Sequence, residues 1–242
     1  MGKTYLLSHI FDDFVAQGKN VSVVCTTGIA CKSLPARLKA ATLHSFAGRK
    51  EGRGSREFLL NRVRANEDAL KRWQQTDLLI IDEVSMMSQK LFESLEFIAR
   101  KVRNINKFFG SMQVVASGDF YQLPPVPNYD DEGGLAFLSS IWKGVFPYTH
   151  SFVLEKIVRQ KESDFIAFVN EISKGFCSPD AIAYSRRLGR RVDPRKFGSS
   201  WLTKIYSTND KVDYANFELE AIEANLHTWR AQGTGDKKVL NR

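Results

Sequence analysis

The sequence predicts an α/β fold, a parallel β-sheet flanked by helices, on three observations. Short apolar runs, Leu78 to Ile81 above all, have the length and composition of strands buried on both faces. Such runs end in polar or acidic residues, and in an open parallel sheet that edge is where ligands sit. The chain also opens on Gly2-Lys3-Thr4, followed at once by apolar residues at helical spacing.

Gly2-Lys3-Thr4 matches the end of a phosphate-binding loop, G-x-x-x-x-G-K-[ST], whose earlier residues are not in this sequence. In such a loop the lysine reaches the β- and γ-phosphates and the threonine binds Mg²⁺. Leu6, Leu7, Ile10, Phe11, Phe14 and Val15 recur as the helix after the loop requires, and Gly18 stops it. Asn20–Thr26 is a strand. Thr26-Thr27-Gly28-Ile29-Ala30 then turns into a helix with Leu34 and Leu38 on its apolar face. In Thr42-Leu43-His44-Ser45-Phe46, Phe46 has two readings: a platform that stacks on a base, or a buried ring beside a capping serine. Under the first, Thr27, His44 and Ser45 bind phosphates. Arg49–Arg56 is Gly- and Arg-rich and reads as a basic loop, in contact with nucleic acid or simply solvated.

Asp82 and Glu83 follow the central strand directly. In a phosphate-handling site the first carboxylate holds Mg²⁺ and the second orients or deprotonates the attacking water; two solvated acids at a strand end are the plainer account. Ser88 caps a helix with Leu91, Leu95, Ile98 and Val102 on one face, and Met86-Met87 reads as core filling. Gln113–Ser117 is a further buried strand, running into Gly118-Asp119-Phe120-Tyr121-Gln122-Leu123-Pro124-Pro125-Val126. There Gln122 can sense a γ-phosphate through its amide, and the stiff proline pair fixes the outgoing chain. Asn128–Gly134 is an acidic loop. Phe152–Glu155 and Lys204–Thr208 read as strands, Ser163–Lys174 and Val212–Leu226 as helices, and Arg186–Lys196 as a solvated basic face.

Composition sets the class. A chain of 242 residues, 43% apolar and 26% charged, can bury a real core. Its net charge of +8 and pI near 9.4 favour a polyanionic partner. Three cysteines and four histidines show neither a disulfide framework nor metal-ligand spacing, so an intracellular, reducing compartment is expected. No run reaches membrane-spanning length and the N-terminus has no signal-peptide pattern.

With GKT, TTGIA, TLHSF, IIDEVSMM, GDFYQLPPV, IVRQ and YSTNDKVDYAN in this order, the chain resembles the Pif-type (petite integration frequency) family of superfamily-one DNA helicases, relatives of RecD. GDFYQLPPV and DEVSMM carry the resemblance most specifically. It implies a P-loop NTPase of two RecA-like domains, with ATP between them and single-stranded DNA across their tops. Residues 1–153 would form the first domain and 154–242 the beginning of the second. Gly2, Lys3 and Thr4 would hold the phosphates, with Thr4 and Asp82 on Mg²⁺. Glu83 would be the catalytic base, Gln122 a γ-phosphate contact and Arg159 the arginine finger. Thr27, Gly28, His44, Ser45, Phe46, Pro124 and Pro125 would lie along the DNA.

The implied activity is ATP-driven movement on single-stranded DNA with unwinding at duplex junctions, in repair, recombination and telomere maintenance. A monomer is expected, nuclear or mitochondrial in a eukaryote. The first half of the phosphate loop and the family's last motifs are not in this sequence. It therefore resembles a fragment expected to hydrolyse ATP poorly. The other reading is a non-catalytic remnant that binds only DNA or a protein partner.

Overall fold

The computed structural model describes residues 2–48, 54–158, 160–190, 192–193, 196 and 203–220. The chain groups into two compact units, 1–187 and 188–242. In the first unit, helix α1 (Lys3–Ala16) starts on Gly2 and ends where Gly18 takes a positive φ of 74°. Strand β1 (Val21–Cys25) leads to helix α2 (Gly28–Ser33), and the short β2 (Ala41–Thr42) to the single turn α3 (Leu43–Phe46). Helices α4 (Arg56–Arg64) and α5 (Glu67–Gln75) precede β3 (Leu78–Asp82); α6 (Gln89–Arg103) precedes β4 (Gln113–Ala116). Three further helices follow in this unit: α7 (Trp142–Val145), α8 (Ser163–Ser173) and α9 (Pro179–Leu188), the last running to the unit's border.

The four strands form one parallel sheet in the order β2-β1-β3-β4. Pairing Cys25 with Asp82 and with Thr42, and Ile81 with Ala116, brings the C-terminal ends of all four to one edge. β3 is buried throughout, and its alternate residues enter opposite cores. Leu78 and Ile80 pack with Val23, Cys25, Leu34 and Leu38 beneath α1 and α2. Leu79 and Ile81 pack on the other face with Val63 of α4, Trp73 of α5, and Phe92, Leu95 and Ile98 of α6. Burying each such large side chain is worth roughly 1.5–3 kcal/mol, so β3 is the axle of the unit.

The parallel sheet and the flanking helices follow the sequence reading, with corrections. The helix after TTGIA stops at Ser33, because Pro35 cannot continue it; Leu34 and Leu38 are buried all the same. β4 is only half-buried, being the last described strand of its sheet. Residues 57–77, which carried no sequence assignment, form α4 and α5. Ser55 and Asn66 cap them by accepting from Phe58 N (3.2 Å) and Ala69 N (3.0 Å). Arg103 of α6 then donates to the carbonyls of Trp73 and Thr76 at the end of α5 (2.9 and 3.0 Å). Phe152–Glu155 and Lys204–Thr208 are not strands: no described strand hydrogen-bonds to either, and Phe152 is 85% exposed. The basic loop falls partly outside the described residues (49–53), and Arg56 already belongs to α4. In the second unit, α10 (Asn209–Glu220) takes up the start of Val212–Leu226, whose remainder also lies outside the described residues. Among the described residues no helix is long and apolar enough to cross a membrane.

Phe46 is a core residue. Its ring is 4% exposed and lies 4.9 Å from that of Trp73, centroid to centroid. A base cannot stack on a ring enclosed in this way, so the buried reading replaces the platform reading. Phe46→Ala is expected to cost about 3–5 kcal/mol of stability; urea unfolding that shows a loss below ~1 kcal/mol would contradict the burial.

Candidate nucleotide and nucleic-acid edge

The C-terminal edge of the sheet collects the sequence-predicted residues. Lys3 stands at the first turn of α1, and its ammonium faces Glu83 across 3.8 Å, an ion pair beyond hydrogen-bond reach. Asp82 closes β3 at 5% exposure. Three buried polar atoms here have no hydrogen-bond partner: Lys3 Nζ, Asp82 Oδ1 and Ser85 Oγ. Burying such groups unsatisfied costs about 1–3 kcal/mol each, more when charged. A cation donor at the start of α1, and a carboxylate oxygen and a hydroxyl at the end of β3 and in the turn after it, are the kinds of group that a Mg²⁺–phosphate would satisfy. Thr4 sits half-buried on the next residue, its own carbonyl accepting from Ser8 Oγ at 2.9 Å. Gly2 is the N-cap of α1 and lines a shallow cleft with Val153, Leu154 and Val158. Arg159, expected to be the arginine finger, lies outside the described residues.

Glu83 adopts a left-handed backbone (φ 55°, ψ 45°), uncommon for a residue other than glycine or asparagine. The turn that follows is clamped from both neighbouring strand ends. Val84 N donates to Ser117 O (2.9 Å) after β4, while Thr26 Oγ1 after β1 donates to Glu83 O (3.3 Å). Gly118 comes so close that an added Cβ would lie 2.8 Å from Val84 Cγ1 and 3.0 Å from Val84 N. Gln122 is exposed, and its amide donates to Asp119 Oδ2 at 3.1 Å within the same loop. Cys25, buried under Asp82, is no nucleophile: burial, with the Cys31 thiol and the two carboxylates adding, pushes its thiol well above the usual range.

The residues expected along DNA leave the same edge. Thr27 caps α2 by accepting from Ala30 N (3.2 Å), which leaves Gly28 exposed at the turn. Thr42 caps α3 by accepting from Ser45 N (3.2 Å), so the cap in TLHSF is its threonine and not the expected serine. Ser45 and Pro124 are exposed; His44 and the buried Pro125 meet in a cleft of about 240 Å³. Arg72 of α5 was not among the sequence candidates. Its guanidinium donates to Phe46 O (3.3 Å) and Ser45 O (3.1 Å), holding the end of α3. Nothing in the sequence linked Arg72 to α3.

A parallel sheet flanked by helices, with lysine and threonine at a helix N-terminus and a buried aspartate ending the central strand before a glutamate, has the architecture of a P-loop α/β domain. The chain belongs to the PIF1-like helicase family, whose model matches residues 1–181. It is 34% identical over 240 residues to the ATP-dependent DNA helicase PIF1 of Emericella nidulans, and 34% over 234 residues to that of Homo sapiens. These matches cover 97% and 95% of this chain but 31% and 34% of the relatives, so the chain spans about a third of their length. The crystal structure of Pif1 helicase from Candida albicans superposes with a TM-score of 0.79 at 37% identity, covering 93% of this chain and 49% of that one. Pif1 helicase from Bacteroides, in complex with ADP-AlF3 and single-stranded DNA, gives 0.69 at 25%, over 93% and 52%.

The closest backbone approach at the edge is testable. Gly118→Ala should lower stability by about 1–3 kcal/mol through overpacking against Val84 and Ser85. A thermal melt that matches the parent would show that the two turns are not in contact.

Proposed function

We propose that this chain binds Mg·ATP and single-stranded DNA at the C-terminal edge of its sheet, and belongs to an ATP-dependent helicase that moves on DNA. The observation that carries the reading is the trio of unsatisfied buried atoms on Lys3, Asp82 and Ser85, beside the ion pair of Lys3 with Glu83. The names of the relatives support it, as does the Bacteroides protein that holds a nucleotide analogue and single-stranded DNA.

Bound Mg·ATP supplies a labile phosphoanhydride and a metal that neutralises charge on its phosphates. Lys3 neutralises phosphate oxygens, relinquishing its distant pairing with Glu83. Asp82 and Thr4 would supply oxygen ligands to the metal, a hard cation. Glu83, freed from Lys3, accepts the proton of a water as general base. Gln122 is in the loop after β4 and is assigned the γ-phosphate contact; Arg159 is assigned the arginine finger on its place in the sequence motif Ile157-Val158-Arg159-Gln160. Thr27, Gly28, His44, Ser45, Pro124 and Pro125 form a polar track for the strand, and the net charge of +8 adds a salt-dependent attraction. Residues 1–153 are assigned to the first RecA-like domain and 154–242 to the second. A role in the nucleus or mitochondrion accords with a DNA substrate.

The two ends of the mechanism separate by mutation. Lys3→Ala removes a charged donor worth about 1.5–3 kcal/mol, so Mg·nucleotide affinity should fall roughly tenfold or more. Glu83→Gln should leave that affinity within about threefold and abolish DNA-stimulated phosphate release. Titration with a fluorescent nucleotide and a phosphate-release assay measure both; unchanged affinity in Lys3→Ala would overturn the assignment.

A further inference from the structure

We propose that the cleft at the start of α6 takes one nucleobase of the single strand and favours cytosine over thymine, with Asp131 and Asn128 reading the edge of the base. The inference rests on the proposed DNA edge and deepens it. That reading gives the strand a polar track to lie along; this one adds a pocket for a single base.

The cleft opens on the track itself, because His44 and Pro125 belong to its lining. Its volume of about 240 Å³ is below the ~300 Å³ at which pockets for drug-sized ligands begin, and suits one flat ring. Met86, Leu91, Pro125 and Val126 give it the apolar walls that the faces of a base need. The charged part of the lining argues against a phosphate in the same place. Lys90 is its cation, with an ammonium that already donates to Asp130 O, and the carboxylate of Asp131 stands in the same lining. A phosphodiester would meet one cation opposed by one carboxylate; an uncharged ring meets no such opposition.

The two reading groups are fixed before any base arrives. Asn128 and Asp131 pair across a tight turn, Asn128 N donating to Asp131 O (2.8 Å) and Asp131 N to Asn128 O (3.2 Å). The turn is fastened to α6: Ser88 Oγ donates to Asp131 Oδ2, and Gln89 N to Gly134 O (2.7 Å). Gly133 N donates to Asp131 Oδ1 (3.0 Å). Each carboxylate oxygen thus accepts one bond and has capacity for a second. Asn128 Oδ1 accepts from Asp130 N (2.9 Å), so the amide contributes its NH2 as a donor. An acceptor beside a donor matches cytosine, whose N4 amino group gives a hydrogen to the carboxylate while N3 takes one from the amide. Thymine carries its N–H between two carbonyl oxygens, which repel a carboxylate.

The test is fluorescence anisotropy with labelled oligodeoxycytidine and oligothymidine of equal length, titrated with the whole chain, with Asp131→Asn and with Val126→Trp. The parent should bind the cytosine strand about fivefold or more tightly, the low end of the usual cost of one misread base. Asp131→Asn keeps the shape of the side chain and removes the charged acceptor. Val126→Trp fills the cleft from a position that is 78% exposed, outside the core, and decides the question should Asp131→Asn loosen the turn. Each variant should bring the ratio of the two affinities to within about twofold of one. Retention of the parent's ratio in either variant, melting as the parent does, overturns the proposal. Equal affinity of the parent for the two strands also overturns it and leaves the DNA edge standing; a parent that binds neither strand overturns it together with the edge.

Discussion

The pairing of β1 with β3 is the constraint on which everything else depends. Because the strands run parallel and Cys25 is level with Asp82, the residues after each strand emerge side by side. Residues separated by more than fifty positions in the chain, Thr26 and Glu83, come within one hydrogen bond of each other. The same register supplies both cores with alternate residues of β3, so a one-residue slip would bury the wrong set and separate the two acids from Lys3. Stability and site geometry are here one and the same set of contacts.

Around that pairing the fold keeps polar groups where their burial is costly. Lys3 Nζ, Asp82 Oδ1 and Ser85 Oγ are without hydrogen-bond partners here; among the described residues Trp73 Nε1 of α5, and Glu96 Oε1 and Arg100 Nε of α6, share that state within the helical layer. Glu83 adds a strained backbone to this cost. At the end of β3 an unsatisfied carboxylate oxygen and a left-handed backbone fall on successive residues, Asp82 and Glu83, a coincidence that is common at functional sites.

The legible part of the fold was the part written in short apolar runs with distinctive ends. β1, β3 and β4, α1 and α6 follow from their residues, and the acids of β3 fall where the edge rule puts them. α4 and α5 went unread, although Ser55 and Asn66 announce both starts and Leu59, Leu60, Val63, Ala69 and Trp73 supply their buried faces. The two mistaken strands, Phe152–Glu155 and Lys204–Thr208, show the converse error. Their composition suits a strand, but a strand is made by its neighbour's hydrogen bonds, which composition cannot report. Phe46 failed for a related reason: an aromatic within a polar motif carries no mark of the face it occupies, and Trp73, distant in sequence, decides it. Arg72 and Thr26 act through backbone carbonyls, which no side-chain pattern reveals.

The central claim is that the acid ending β3 is a metal ligand in a nucleotide site. Calorimetric titration of ADP with and without Mg²⁺, into the parent and into Asp82→Asn, tests it most directly. The account predicts that Mg²⁺ tightens binding to the parent by about tenfold or more, of the order of one charge-assisted contact. In Asp82→Asn that gain should largely vanish while the metal-free affinity stays near the parent's. Equal Mg²⁺ dependence in the two proteins would contradict it.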